Sequence, residues 1–454
     1  MKKAFWSITL VSLLLAGGYG QVFGAEIYTH WNLGPDWVTG DGVYAIVDES
    51  ATNKVMISAA LDNTDPKHAW INKDFGTDYT VRCDVSMESW QEGHDLSRAG
   101  IAAMIQPDGV GGGSATEDRG VCLLIHQDAN RVQFLNDMEA WQDPPTVFAW
   151  KLKTWYTFEM TVSGTKVSGK ITEKAKPTNT IDIPAWENYN GAAKRVGGFV
   201  GITASTLGGL IAMYDNFQVL VNGEVKFSDD FQTPGDPMPA ASGLSDSWVI
   251  GEAGMYLVKN GVLYGVATSN VDPKHAWFNQ ELEKGGRIMG YCKMLSWEAH
   301  DHSRSGLGIH IQPHGAGTGR QPSETTPGED RGLNLLFHDN VNRVQFLNDM
   351  RAWGPAITFA WKVDTWYLFD LQSDGNQVSG SITNVAKPSD SVILAPWTYD
   401  KDQPRVNGYA GLTASTRRGQ ICAWDNIVIF DASGAKVFSD DFQGGTGIGE
   451  WSLY

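Results

Sequence analysis

Arg131-Val-Gln-Phe-Leu-Asn-Asp-Met138 stands again, unchanged, as Arg343-Val-Gln-Phe-Leu-Asn-Asp-Met350, displaced by 212 residues. Inside it Val132 and Phe134 alternate with Arg131 and Gln133, a period of two that belongs to a strand with one buried face. The preceding Val121-Cys-Leu-Leu-Ile-His126 reaches it through Gln127-Asp-Ala-Asn130 and follows the same rule. Val121, Leu123 and Ile125 fall on the core side, and His126, Arg131 and Gln133 on the other. One strand earlier, Arg98-Ala-Gly-Ile-Ala-Ala-Met-Ile-Gln106 and Arg304-Ser-Gly-Leu-Gly-Ile-His-Ile-Gln312 divide likewise. Their expected apolar rows are Ile101, Ala103, Ile105 and Leu307, Ile309, Ile311.

The duplication runs the length of the chain. Asp65-Pro-Lys-His-Ala-Trp70 returns as Asp272-Pro-Lys-His-Ala-Trp277, and Phe227-Ser-Asp-Asp-Phe-Gln232 as Phe438-Ser-Asp-Asp-Phe-Gln443. A period this long marks two copies of a domain, not a solenoid. Thr233-Pro-Gly-Asp-Pro-Met-Pro-Ala-Ala-Ser-Gly243 has linker composition, so the units are 26–232 and 244–454. The longest insertion in the second copy, Pro313 to Glu329, reads as a surface loop. Residues 1–25 form an export signal: Lys2 and Lys3, the apolar run Ala4 to Ala16, then small residues. Cleavage after Gly20 or after Ala25 both fit. The apolar run is too short to span a bilayer, and the expected location is periplasmic or extracellular.

Turn pairs at Ser163-Gly164, Asn222-Gly223 and Asp374-Gly375 separate further alternating runs, and no capped helical stripe stands out. With 51 Gly and 18 Trp among 454 residues, the expected fold is all-β: two tandem antiparallel sandwiches of jelly-roll type. The net charge of −17 argues against a nucleic-acid partner, whose phosphates demand clustered Lys and Arg. The four cysteines, Cys83, Cys122, Cys292 and Cys422, do not align between copies. One bridge per unit and buried free thiols are both open.

The order of phrases resembles the concanavalin A-like lectin/glucanase superfamily, in its laminin G-like and 3-keto-disaccharide-hydrolase-like bacterial branches. It is carried by Asp74-Phe-Gly-Thr-Asp-Tyr-Thr-Val81, Ser97-Arg-Ala-Gly-Ile101, Thr154-Trp-Tyr-Thr-Phe158, Val162-Ser-Gly-Thr-Lys-Val-Ser-Gly169, Gly198-Phe-Val-Gly-Ile202 and Tyr214-Asp-Asn-Phe-Gln-Val219. The second copy has Ser303-Arg-Ser-Gly306, Thr365-Trp-Tyr367, Gly408-Tyr-Ala-Gly-Leu412 and Trp424-Asp-Asn-Ile-Val428. The resemblance implies a concave sheet face on which glycans lie, and a structural Ca²⁺ held by Asp215 with Asp230 and by Asp425 with Asp441, Asp229 and Asp440 being the other acidic neighbours. Laminarinase-type members carry Glu-x-Asp-x-(x)-Glu on one strand. No Glu here has Asp two residues on, which argues against that chemistry.

The outward rows supply the candidate binding residues. They are Arg98, Gln106, His126, Arg131 and Gln133 in the first unit, and Arg304, His310, Gln312, His338, Arg343 and Gln345 in the second. Arg and Gln offer planar, paired hydrogen bonds to vicinal hydroxyls or acidic sugar groups. Gly100, Gly306 and Gly308 in these rows are read as leaving room above the sheet. A solvated face of cross-strand polar pairs is the competing reading. Trp90 and His94, with Asp95, stand at the mouth of this row, as do Trp297 and His300 with Asp301. Each His-Asp pair serves either a loop network or a general base. Trp70, Trp141 and Trp150, with Trp277, Trp353 and Trp361, complete the aromatic candidates for stacking on sugar rings, and Trp155 and Trp366 are assigned to the core. Glu117-Asp-Arg-Gly120 and Glu329-Asp-Arg-Gly332 read as intraloop ion pairs.

The expected partner is a polysaccharide, bound by two linked sites that gain from effective concentration. A lyase or hydrolase of non-classical mechanism on the same face, and a surface adhesion or structural protein, are the alternatives.

Overall fold

A computed structural model describes residues 30–40, 43–50, 52–61, 67–89, 98–107, 118–126, 130–137, 140–187, 196–204, 210–235, 241–242, 244–251, 254–267, 274–296, 304–312, 331–338, 342–348, 352–399, 407–414 and 420–443. They form four sheets of nine, eight, nine and nine strands, two sheets to each copy, and contain no α-helix. The chain is two tandem β-sandwiches. Pairing is antiparallel except where the end of the linker, Ala241–Ser242, lies parallel to Gly254–Lys259.

In the first unit the outer sheet runs through Val43–Ser50, Asn53–Ala59, Ile211–Val221, Asp78–Ser89, Tyr156–Ser163, Lys166–Glu173 and Thr180–Glu187. The inner sheet runs Ala140–Trp141, Arg131–Asn136, Arg119–His126, Arg98–Gln106, Phe199–Ala204, Lys67–Ile71 and Trp37–Thr39. Between them Ile101, Ala103, Leu123, Ile125, Val132 and Phe134 meet Val81, Val85, Tyr156 and Phe158, as alternation requires. The second unit repeats the arrangement around Leu307, Ile309, Leu335, Phe337, Phe346 and Phe369. Trp37 and Trp248 close the two cores in the same way, each donating its indole N–H at 2.8 Å, to Asp229 and to Asp440.

Among the described residues of each inner sheet, alternation fails at one place. Met104 and His310 adopt positive φ of 53°, and the register of their strands shifts there against both neighbours. Such a bulge inserts one residue and reverses which side chains face inward. Met104 therefore enters the core, and Ile105, expected inside, joins an outward cluster with Trp70, Ala102, Cys122, Leu124 and Leu135. His310, expected on the outward row, is likewise turned inside. It is fully buried, with Nε2 2.8 Å from Ser373 Oγ on a strand of the opposite sheet.

The glycines of the outward row also serve differently from expectation. A Cβ on Gly100 would lie 1.9 Å from the Leu123 carbonyl oxygen, and one on Gly306 would lie 1.9 Å from that of Leu335. These glycines admit the neighbouring backbone and do not open a space above the sheet.

A third apolar cluster joins the two copies. Ala45, Val47, Val55, Ile57, Ile211 and Met213 on the outer face of one sandwich pack with Met255, Val266, Leu295, Ile421 and Ala423 on the same face of the other. Ile211 and Ile421 hold the same place in the repeat, so the contact is pseudo-symmetric. Trp155 and Trp366, expected in the cores, lie partly buried against this cluster instead. All four cysteines are free and buried. Among the described residues no helix is long and apolar enough to cross a membrane.

Where the second unit has His310 and Ser373, the first has Met104 and Val162 inside the same core. Ser373→Val is expected to cost about 1–3 kcal/mol by removing a buried imidazole's partner. The double variant His310→Met/Ser373→Val should recover most of that loss in thermal unfolding, and purely additive losses would refute the coupling.

Candidate functional site

The inner sheet sets Arg98 directly opposite His126, and Arg304 opposite His338, across adjacent strands. His338 in turn faces Arg343. At the end of each inner sheet a two-residue strand, Ala140–Trp141 or Ala352–Trp353, pairs back so that the tryptophan lies beside Leu135 or Leu347. The indole lands on the polar row. His126 and Trp141 have ring centroids 4.8 Å apart, and the Arg98 guanidinium sits 5.2 Å from the same indole. In the second unit the distances are 4.7 Å for His338–Trp353 and 5.0 Å for Arg304–Trp353. One imidazole and one guanidinium thus pack on one indole, twice over, in a cation–π arrangement.

The arginine and the histidine are buried, at 5% and 2% exposure for Arg98 and His126, so the outward row is not the open polar surface expected. The tryptophans are different. Trp141 is 38% and Trp353 42% exposed, whereas the other large aromatics among the described residues are mostly packed away. Of the remaining aromatic candidates, Trp150 and Trp361 are core residues, the latter donating its N–H to the His338 carbonyl at 3.1 Å. Trp70 and Trp277 are buried on the inner sheet.

Gln133 and Gln345 hold the tryptophan in place. Their side-chain amides donate to the carbonyls of Gln142 and Gly354, each the residue after the tryptophan, at 2.6 Å and 2.5 Å. In the second unit Arg343 Nη2 lies 3.2 Å from His338 Nδ1. A guanidinium has only donors, so Nδ1 accepts and His338 is the neutral Nε2–H tautomer. Gln106 stands opposite Arg119 at the far end of its strand, eight residues or roughly 25 Å from Arg98, and Gln312 stands likewise opposite Arg331. Neither joins the stack. Trp90, His94, Trp297 and His300, together with Asp95, Asp301, Glu117 and Glu329, lie outside the described residues.

The same outward face of the first unit carries a second polar group that alternation alone did not single out. His68 Nε2 is 2.8 Å from Asp137 Oδ2, which also accepts the Gly120 N–H at 2.7 Å. Cys122 Sγ lies 3.5 Å from that same oxygen, and all three side chains are buried. His68 and Asp137 both fall in the verbatim repeats, which was the available signal.

The acidic residues implied for calcium divide by unit. Asp215 is opposite Asp84, and Asp84 is already held by the Lys174 ammonium, by Asn216 Nδ2 at 2.9 Å and by Thr157 Oγ1 at 2.6 Å. Asp230 is exposed and accepts the Gln232 N–H at 3.2 Å. This set, with a lysine in it, fits a cation poorly. In the second unit Asp425 Oδ1 is buried with no hydrogen-bond donor among the described residues. Burial, with the charges of Asp441 and Asp440 nearby, pushes the Asp425 carboxyl up to about 6. Asp440 accepts the Trp248 and Phe442 N–H groups and Asp441 the Gln443 N–H, so the feature of this set that suits a hard cation is the open Asp425 oxygen.

No protein-family model matches the sequence, and no curated protein sequence matches it. Solved structures to which it is similar include the carbohydrate binding module CBM66 from Bacillus subtilis, at 10% identity over 41% of this chain and 96% of that one, TM-score 0.30. A Bacillus subtilis protein of galectin-like fold aligns at 10% identity over 40% and 89%, TM-score 0.31. The Lotus tetragonolobus seed lectin aligns at 9% over 41% and 93%, TM-score 0.32. Each likeness spans about two-fifths of this chain and nearly the whole of the other protein.

Because the folded-state value of Asp425 lies above the ordinary carboxylate value of about 3.9, folding favours its protonated form. Its contribution is greatest below that ordinary value and is lost as pH rises through about 6. In chelator, Asp425→Asn should melt with the wild type near about pH 4 and about 2–4 °C above it near about pH 8. A variant that melts lower than wild type at the higher pH would contradict this.

Proposed function

We propose that the chain is an exported carbohydrate-binding protein with one glycan site per sandwich, each centred on an exposed tryptophan: Trp141 in the first unit and Trp353 in the second. The observation that carries this reading is the Arg–His–Trp stack, present with the same partners and nearly the same distances in both units. The copies differ at Met104 against His310 and at Cys122 against Asn334, so near-identity of the stack is not general similarity.

The exposed indole gives a sugar ring an apolar platform for its C–H face. The buried arginine and histidine fix that platform from beneath and place positive charge beside it, in a chain whose total charge is −17. Core stability does not require a tryptophan left more than one-third exposed. The local positive charge favours hydroxyl-rich chains bearing carboxylate or sulfate groups. The reading of residues 1–25 as an export signal supports a location where such polymers occur. Calcium belongs to this reading as a structural ion of the second unit at Asp425, supported by its donor-less buried oxygen.

Affinity electrophoresis of the full chain through gels containing neutral and acidic polysaccharides tests the proposal. Wild type should be retarded by at least one acidic polymer. Trp141→Ala or Trp353→Ala alone should weaken retardation by about tenfold or more through lost avidity, and the double variant should run as in a polymer-free gel. Each variant should remain folded, melting a few degrees below wild type as the indole's packing on arginine and histidine is lost. A double variant as retarded as wild type, or a wild type retarded by no polymer, would overturn the reading.

A further inference from the structure

We propose that the first unit, and not the second, binds one borderline-soft divalent ion of the zinc or cobalt kind, through His68 Nε2, Cys122 Sγ and the Asp137 carboxylate. The three ligand atoms lie within 4.8 Å of one another, and each residue is at most 2% exposed. They come from three strands or strand ends that the inner sheet brings over one another: Lys67–Ile71, Arg119–His126 and the residue following Arg131–Asn136.

The tautomer of His68 is set from behind. Its Nδ1 is 3.4 Å from the Ile202 carbonyl oxygen, which can only accept, so Nδ1 carries the proton. In a neutral imidazole Nε2 is then a lone pair, and it points at Asp137 Oδ2 from 2.8 Å. Two acceptors at that distance need a cation between them, either a proton or a metal ion. A ligating histidine typically has its other nitrogen donating to a backbone carbonyl, as here.

The thiol supplies the third donor. Cys122 Sγ lies 3.6 and 3.5 Å from the two oxygens of Asp137, to which its S–H donates in the absence of a metal. A divalent ion changes the balance. The thiol proton and the proton shared by His68 and Asp137 leave, and thiolate and carboxylate then cancel the two positive charges. A buried site of zero net charge costs far less than a buried unpaired charge. Nitrogen, sulfur and carboxylate donors suit Zn²⁺ or Co²⁺ and not Ca²⁺ or Mg²⁺.

The second copy is the internal comparison. His275 keeps the same posture, with Nδ1 3.3 Å from the Leu412 carbonyl, but Asn334 stands where the first copy has Cys122. An amide cannot supply the thiolate, so only one site per chain is expected.

The full chain should be expressed in zinc-depleted medium supplemented with Co²⁺, then assayed for metal content and for the thiolate-to-cobalt charge-transfer band. The expected result is one ion per chain with that band present. Cys122→Ser and Cys122→Asn, the latter installing the residue of the second copy, should lose the band. Cys83→Ser, which alters a buried thiol bonded only to backbone carbonyls, should keep it. Folded wild type without stoichiometric metal, metal without the band, or a band undiminished in a folded Cys122 variant would each overturn the proposal. If neither Cys122 variant folds, the wild type alone decides: the Zn²⁺-loaded chain should melt above the chelated chain, and equal melting would overturn it.

Discussion

Backbone closes on backbone in the inner sheet of each unit, and this close approach shapes everything laid on it. Gly201 and Gly411 repeat what Gly100 and Gly306 show: a Cβ would lie 1.9 Å from the Ala69 carbonyl oxygen in one and 2.0 Å from that of Ala276 in the other. No residue but glycine fits there. On the outward face of these strands, side chains that alternation alone would leave in water are buried: the arginine–histidine pair, Trp70 and the His68–Asp137 pair. The short strand that pairs at the end of the inner sheet carries the exposed tryptophan.

The proposed function therefore rests on a division of labour. The polar groups that sequence reasoning offers as ligands are largely committed within the protein: Gln133 and Gln345 tether the chain after the tryptophan, Arg98 and Arg304 stack on its ring, and Arg343 fixes a histidine tautomer. What they present outward is the indole. Two such platforms on one chain matter because the sandwiches are not loosely strung. The apolar cluster around Ile57, Ile211 and Met213 on one side and Val266, Ile421 and Ala423 on the other joins their outer faces, like a dimer made within a single chain. On the proposed reading, a polymer engaging both sites would meet them at a set separation.

Much of this was legible in the residues. Verbatim repeats such as Arg131 to Met138 revealed the two units, and alternation through Ile101, Leu123, Val132 and Phe134 assigned the core face correctly. The bulges were not legible, because nothing in Ala-Met-Ile or Ile-His-Ile announces a positive φ. That is why Ile105 and His310 were placed on the wrong sides. Exposure was not legible either: alternation tells which face a side chain takes but not whether another side chain covers it, as the Trp141 indole covers Arg98 and His126. Trp141 and Trp353 stood among eight tryptophan candidates, and only the pairing of a two-residue strand separates them from Trp150 and Trp361. His68 and Asp137 lay in plain sight within the repeats but about seventy residues apart, and only the folded sheet makes them partners.

A structure of the full chain soaked with an oligosaccharide cut from a polymer that it retains bears most directly on the central claim. The account requires a sugar ring against the exposed face of Trp141 and another against Trp353, each with a polar group toward the neighbouring arginine. Sugar ordered on some other face, with both indoles bare, would contradict it.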